Sequence, residues 1–140
     1  MRHGLSIAAV LILQLMGANA MAAQLDDVRW QQRVLLLFGD SKETQKHWNR
    51  FAGDVQALRE RQLLVMTLDD DVEVLAGRAP EPLPETRDLQ RLYNVAPGTP
   101  FVAVLIGLDG GEKWRSVEPF VPERLFGIID AMPMRRAGSK

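Results

Sequence analysis

At 140 residues the chain has the length of one domain, and 46% hydrophobic with 25% charged residues is the balance of an ordinary globular protein. A formal net charge of −1 leaves no whole-chain field to draw it to nucleic acid or anionic lipid. Cysteine is absent, which excludes thiol redox chemistry, thiolate nucleophiles, thiolate metal sites and a lipidated N-terminal thiol.

The first twenty residues read as a secretory signal. "MRH" is a short positive start, "LSIAAVLILQLMG" an apolar centre, and "ANA" places small residues before a cut after Ala20, with alternative cuts after Ala22 or Ala23. The competing reading is a membrane anchor or buried helix. The apolar run of about thirteen residues, interrupted by Gln14, falls short of the roughly twenty that a span needs, so no membrane anchor is expected after cleavage. A periplasmic or secreted chain beginning at Met21 carries a charge of about −2, because the leader removes Arg2 and no acid. About two-thirds of the unfolded surface is buried in a domain of that size, so it can fold without disulfides although an exported protein has access to them.

"LDDVRWQQR" (Leu25 to Arg33) is polar with Val28 and Trp30, either a short helical turn or an edge segment. "VLLLF" (Val34 to Phe38) has no polar alternation, as expected of a strand covered on both faces. Gly39, Asp40 and Ser41 then turn the chain into a helix predicted over Lys42 to Arg61. Asp40 or Ser41 caps it, and Trp48, Phe51, Val55 and Leu58 form its apolar stripe. "LLVMTL" (Leu63 to Leu68) is a second buried strand, and the helix between the two makes a right-handed βαβ unit with parallel strands.

Asp69 to Glu85 combines a run of acids with Gly77, Pro80, Pro82 and Pro84 and reads as a loop. A short helix follows over Glu85 to Tyr93, then a turn over Val95 to Pro100. "FVAVLIGLDGGEKWRSV" (Phe101 to Val117) is a hairpin about Asp109-Gly110-Gly111. Pro122 suits the first position of a last helix bearing Leu125, Phe126, Ile129 and Met132, and the chain ends in a basic tail with Arg135 and Arg136.

With the hairpin placed beside the first strand, this order predicts an α/β, thioredoxin-like fold. Its four-stranded mixed sheet has order 2-1-3-4, with helices on both faces. Pro100, in "GTPF", stands where such folds carry a cis-proline before the third core strand; an ordinary trans turn proline is the alternative. The segments "LDDVRWQQRVLLLF", "LIGLDGGEKWRS" and "LFGIIDAMPMRR" resemble the signature segments of domain-of-unknown-function family 4174, related to the DUDES domains of animal extracellular-matrix proteins. The resemblance runs from Leu25 to about Arg136. It implies a secreted or periplasmic domain with a thioredoxin-like or peroxiredoxin-like fold and, from the animal members, matrix association. Leu108 departs from the lysine of many members, and Pro100 is a residue many members lack, so no lysine-dependent role at the hairpin tip carries over.

The strand-to-helix turn (Asp40, Ser41, Lys42, with Pro100 opposite) is the place where redox relatives of this fold hold a thiol. Helix N-terminal amides form an anion site, but Asp40, Ser41 and Glu43 can satisfy them and repel an anion. His47, the one histidine beyond the leader, reads as a surface or packing residue, and Ser41, Ser116 and Ser139 have no histidine at a recognisable spacing, so no serine hydrolase is supported. "DDDVE" lacks the spacing of a calcium loop. Lys113 and Arg115 alternate with Trp114 and share one strand face; with Arg135 and Arg136 they either pair with the chain's own carboxylates or form a cationic binding surface. No cofactor motif is present. The reading is an exported, non-redox binding or structural module contacting an unknown protein or envelope polymer. The alternative is a diverged enzyme using non-thiol chemistry at Asp40, Ser41 or Lys42.

Overall fold

The computed structural model describes residues 23–133. The signal sequence with the cut after Ala20, and Arg135 and Arg136, lie outside the described residues. A 3-10 turn (Ala23–Val28) leads into β1 (Arg33–Gly39), followed by α1 (Ser41–Trp48), α2 (Val55–Glu60), β2 (Leu63–Leu68), β3 (Val72–Ala76), α3 (Thr86–Leu92), β4 (Phe101–Ile106), β5 (Glu112–Ser116) and α4 (Pro122–Asp130). No helix among the described residues is long and apolar enough to cross a membrane.

The sheet has five strands in the order β3-β2-β1-β4-β5, so the four-stranded expectation is corrected by one edge strand. β1 and β2 run parallel, with Phe38 level with Leu68; the other pairings are antiparallel. The added strand lies in the acid-rich stretch read as a loop. Asp69, Asp70 and Asp71 make a tight connection, after which Val72 and Val74 turn toward the core and Glu73 away from it. That period-two alternation is the mark of an edge strand, and the neighbouring acids conceal it.

The three central strands are apolar but for Arg33, at the start of β1, and Thr67, because both faces are covered. Val34, Leu36 and Phe38 project to one side, packing with Leu25 and Val28 of the 3-10 turn and Leu89 of α3. Leu35 and Leu37 project to the other, meeting Phe51, Leu58, and Leu125, Phe126 and Ile129 of α4. Each fully buried Leu or Phe is worth about 1.5–3 kcal/mol, which is what replaces disulfides here.

The long helix expected over Lys42 to Arg61 is two helices. Asn49 closes α1, and Asp54 precedes α2. Between them lie Asn49, Gly53 and Asp54, all poor in helix interiors. The break drops Phe51, at 0% exposure, into the core from a turn whose amides bond back to the Trp48 carbonyl, and it leaves Val55 45% exposed. α4 begins at Pro122, as expected. Arg61 joins α2 to α4: its Nε and NH2 donate to the two carboxylate oxygens of Asp130 at 3.1 and 2.8 Å, and its guanidinium lies 4.2 Å above the Phe126 ring.

Candidate functional site

β1 ends at Gly39, whose φ of +139° and contact with the facing chain both demand glycine. A Cβ there would collide with the Pro100 backbone carbonyl. The segment before β4 therefore presses directly onto the end of β1. The Thr99–Pro100 bond is trans, not the cis bond its position suggests; the cis peptide among the described residues is Glu81–Pro82.

Beyond Gly39, Asp40 holds an extended conformation and its Oδ1 accepts from the Lys42 amide at 2.8 Å. Ser41 is held from the adjacent strand: Asp69 Oδ2 accepts from its amide at 3.1 Å and from its Oγ at 2.5 Å. Two carboxylates thus occupy the helix N-terminus and satisfy amides that would otherwise attract an anion. Lys42 is exposed.

Gly39, Asp40 and Asp69 form one side of a cleft of about 830 Å³ at the carboxyl ends of β1 and β2. Its other walls are Leu83–Arg87 with Gln90, and the Val95–Pro100 turn, which is stiffened by Thr99 Oγ1 donating to the Ala96 carbonyl at 2.6 Å. Such crevices, outside the carboxyl ends of parallel strands, are where open α/β sheets bind ligands. Thr86, the first residue of α3, lines the cleft; it is 8% exposed and its Oγ1 has no hydrogen-bond partner.

The corner contains no imidazole. His47 lies at the far end of α1, 1% exposed, with ring centroids 5.3, 5.1 and 4.3 Å from those of Phe51, Phe101 and Phe120. Neither ring nitrogen has a partner. Burial, aided by the Arg50 charge, lowers its pKa from 6.5 to about 4, so it is a neutral core residue at physiological pH. Among the described residues no group of three or more His, Asp or Glu is placed to hold a metal ion.

The predicted cationic strand is locally compensated. Lys113 Nζ lies 2.8 Å from Asp109, and the Asp109 carboxyl is held below its usual range by that bond and the Gly111 amide. Arg115 pairs with Glu112 at 2.5 Å and donates to the Tyr93 carbonyl at 2.6 Å. Trp114 turns to the other face and meets Phe120 edge-on at 4.7 Å.

The structure thus brings Asp40 and Pro100 to one cleft, ties Ser41 to the lining residue Asp69 from outside the lining, and leaves Lys42, Lys113 and Arg115 apart from it. Asp69 and Thr86 were missed from the sequence. Asp69 had a signal: it follows an apolar strand parallel to β1, in the register that puts it level with Gly39. Thr86 had none, because its position depends on the path of a 17-residue connection from Asp69 to Glu85.

The profile of a family described as Domain of unknown function (DUF4174) matches residues 24–138. The chain belongs to this family. The solved structure described as the mitochondrial 2-cys peroxiredoxin from Plasmodium falciparum is similar to this DUF4174 chain with a TM-score of 0.60 and 13% identity, over 83% of this chain and 84% of that one. At that identity the likeness establishes the thioredoxin-like fold alone. No curated protein matches by sequence. The 2-cys protein is named for its cysteines; this DUF4174 chain has none, and carboxylates cap the helix at the corner of the shared fold.

Proposed function

We propose that this DUF4174 domain is an exported binding module without thiol redox activity, and that the cleft beside Ser41 is its recognition site. One observation carries the reading: an open cleft of about 830 Å³ persists at a corner where the chain has no thiol and where Asp40 and Asp69 already occupy the helix amides. Its volume is within the roughly 300–1,000 Å³ range of ligand sites. Export is supported by the leader pattern of residues 1–20. The cleft is preferred to the strand bearing Lys113 and Arg115 because those two charges are matched by Asp109 and Glu112, leaving that strand and the Arg135–Arg136 tail a secondary contact.

The alternative, an enzyme acting at Asp40, Ser41 or Lys42, has in its favour the bond from Ser41 Oγ to Asp69. A lone carboxylate is a weak base for a hydroxyl, and the imidazole that would relay the proton is enclosed by phenylalanines. The binding reading is tested with a photoreactive amino acid placed at Leu83, on the cleft rim and 48% exposed, or at Lys113 on β5, in the native cells. Capture from position 83 and not from 113 is expected. Capture from 113 alone would move the site to the strand, and turnover of peroxide or disulfide by the purified protein would overturn the non-redox assignment.

A further inference from the structure

The sheet has two edges, and the sequence treats them differently. β5 ends it on one side with Glu112, Lys113 and Arg115, three charges in five residues. Charge on an outer strand is the ordinary guard against pairing with another chain. β3 ends the sheet on the other side with Val72, Glu73, Val74, Leu75 and Ala76, one charge in five, and none of these residues is buried. Their backbone is bonded to β2 alone: among the described residues no turn, cap or side chain reaches the outer N–H and C=O groups of Val72–Ala76. Two residues further on, both backbone groups are taken. The Gln32 side-chain amide accepts from the Arg78 amide at 2.8 Å and donates to the Arg78 carbonyl at 2.9 Å. Nothing comparable covers β3. A row of N–H and C=O groups repeating every second residue is complementary to another extended backbone and to little else.

The two ends of this edge differ. β3 starts beside Asp70 and Asp71, which are exposed and form no ion pair among the described residues. It finishes at a groove of about 440 Å³, where Leu75, Ala76 and Gly77 face Trp48, Val55 and Leu58. Val55 is 45% exposed there, and Arg59 is the one charged residue among the described residues that line it. Val72 to Ala76 is four steps, about 13 Å at about 3.3 Å per residue. A strand laid along β3 therefore meets negative charge at one end and apolar surface some four to six residues away. A second copy of this chain supplies the wrong complement. Paired antiparallel about Val74, it brings its own Asp70 and Asp71 to the apolar groove, where carboxylates lose water without a partner; paired parallel, it sets acids against acids.

We infer that the outer edge of β3 is a docking site for an extended segment of a partner protein, added as a sixth strand, with lysine or arginine where it meets Asp70 and Asp71 and a large apolar residue where it meets the groove. Asp70, Asp71 and Val72 also border the cleft, so the two surfaces adjoin, but the docking edge is set by the sheet and does not depend on what the cleft holds.

The test is an amide NMR and hydrogen-exchange titration of the purified protein with the end-blocked peptide Lys-Lys-Thr-Val-Thr-Val-Phe and with the reversed sequence, since a strand adds in either direction. One of the two is expected to slow exchange at alternate amides of Val72–Ala76, to shift the Val55 amide, and to bind more weakly as salt is added. N-methylating that peptide at alternate residues is expected to abolish binding in one phase and spare it in the other, because only every second N–H faces β3. Glutamate in place of both lysines is expected to weaken binding about tenfold, and the double variant Asp70→Asn with Asp71→Asn about fivefold. Val55→Glu, an exposed first residue of α2 where an acid suits the helix end, is expected to weaken it about fivefold by charging the groove. Silence of β3 toward both peptides, equal binding by the two N-methylated phases, or shifts confined to Leu83 and Thr86 of the cleft would overturn the inference. Protection of the β3 amides that grows with protein concentration and without peptide would give the edge to a second copy and overturn the choice of partner.

Discussion

Acidification should destabilise this protein through one residue. His47 is enclosed by Phe51, Phe101 and Phe120, both ring nitrogens lack partners, and burial is the largest cause of its lowered pKa, with Arg50 second. The folded-state value of about 4 lies below the unfolded value of 6.5. As pH falls through 6.5 the unfolded chain takes up a proton that the folded chain refuses, so stability declines from about pH 6.5 and the loss levels off near pH 4. At 1.36 kcal/mol for each pH unit, the full loss is roughly 3 kcal/mol, a large fraction of the margin of a small domain. Asp27, lowered chiefly by its bond from Arg78, and Asp109, lowered chiefly by Lys113, give stability that is present above 3.8 and lost only below it. The assay is urea unfolding of the chain from Met21, in which His47 is the only histidine, at intervals from pH 7.5 to 4.5, beside His47→Phe. The wild-type free energy should fall across this range, while the variant, with nothing to titrate and an apolar ring in an aromatic enclosure, should stay nearly level. Parallel declines in the two proteins, or an NMR titration placing His47 near 6.5 in the folded state, would refute the argument.

Three further outcomes follow from the geometry. Gly39→Ala forces a Cβ against the Pro100 carbonyl at a φ of +139°, and should cost about 2 kcal/mol or more in urea unfolding; an unchanged midpoint would mean that the β4 approach yields freely. Arg61→Lys should cost about 1–2 kcal/mol despite retaining the charge, because lysine cannot reproduce the two bonds to Asp130 together with the bond to the Ala57 carbonyl, and the same denaturation series measures it. Ser41→Cys should yield a thiol that titrates above the ordinary value of about 8.5, because Asp69 disfavours a neighbouring thiolate; the pH dependence of iodoacetamide alkylation measures it, and a value below 7 would refute this electrostatic picture of the corner.

The parts of the fold that could be read from the chain were those in which local pattern and final environment coincide. "VLLLF", "LLVMTL" and "FVAVLI" are apolar at every position but Thr67 because helices cover both faces of the sheet centre, and they became β1, β2 and β4. β3 was missed because an edge strand buries only part of its surface and tolerates charge, so Asp69–Asp71 and Glu73 outweighed the alternation of Val72 and Val74. The single long helix was wrong for the opposite reason. Trp48, Phe51, Val55 and Leu58 keep helical spacing, yet Phe51 reaches the core from a non-helical turn and Val55 does not reach it at all. The break had a signal in Asn49, Gly53 and Asp54 that the apolar periodicity masked. At the site, Asp40 and Ser41 were legible because a strand-to-helix junction is local. Their partner Asp69 and the opposite wall at Thr86 come from distant segments, and only the parallel register of β1 and β2 specifies the first of them.

The chemistry of the corner depends on that register as much as on the missing cysteine. A helix N-terminus favours negative charge, and a thiol placed there would ordinarily be drawn toward thiolate. In this chain the parallel pairing sets Asp69 beside Ser41, and Asp40 caps the next amide, so the positive end of the helix is already met by two full negative charges. The half-charge of a helix end cannot offset both. With Asp70, Asp71 and Glu85 on the adjoining walls, the potential in the cleft is inverted from anion-attracting to cation-attracting. Reintroducing sulfur alone would therefore leave a poor thiolate site, because the surroundings are built for the opposite charge.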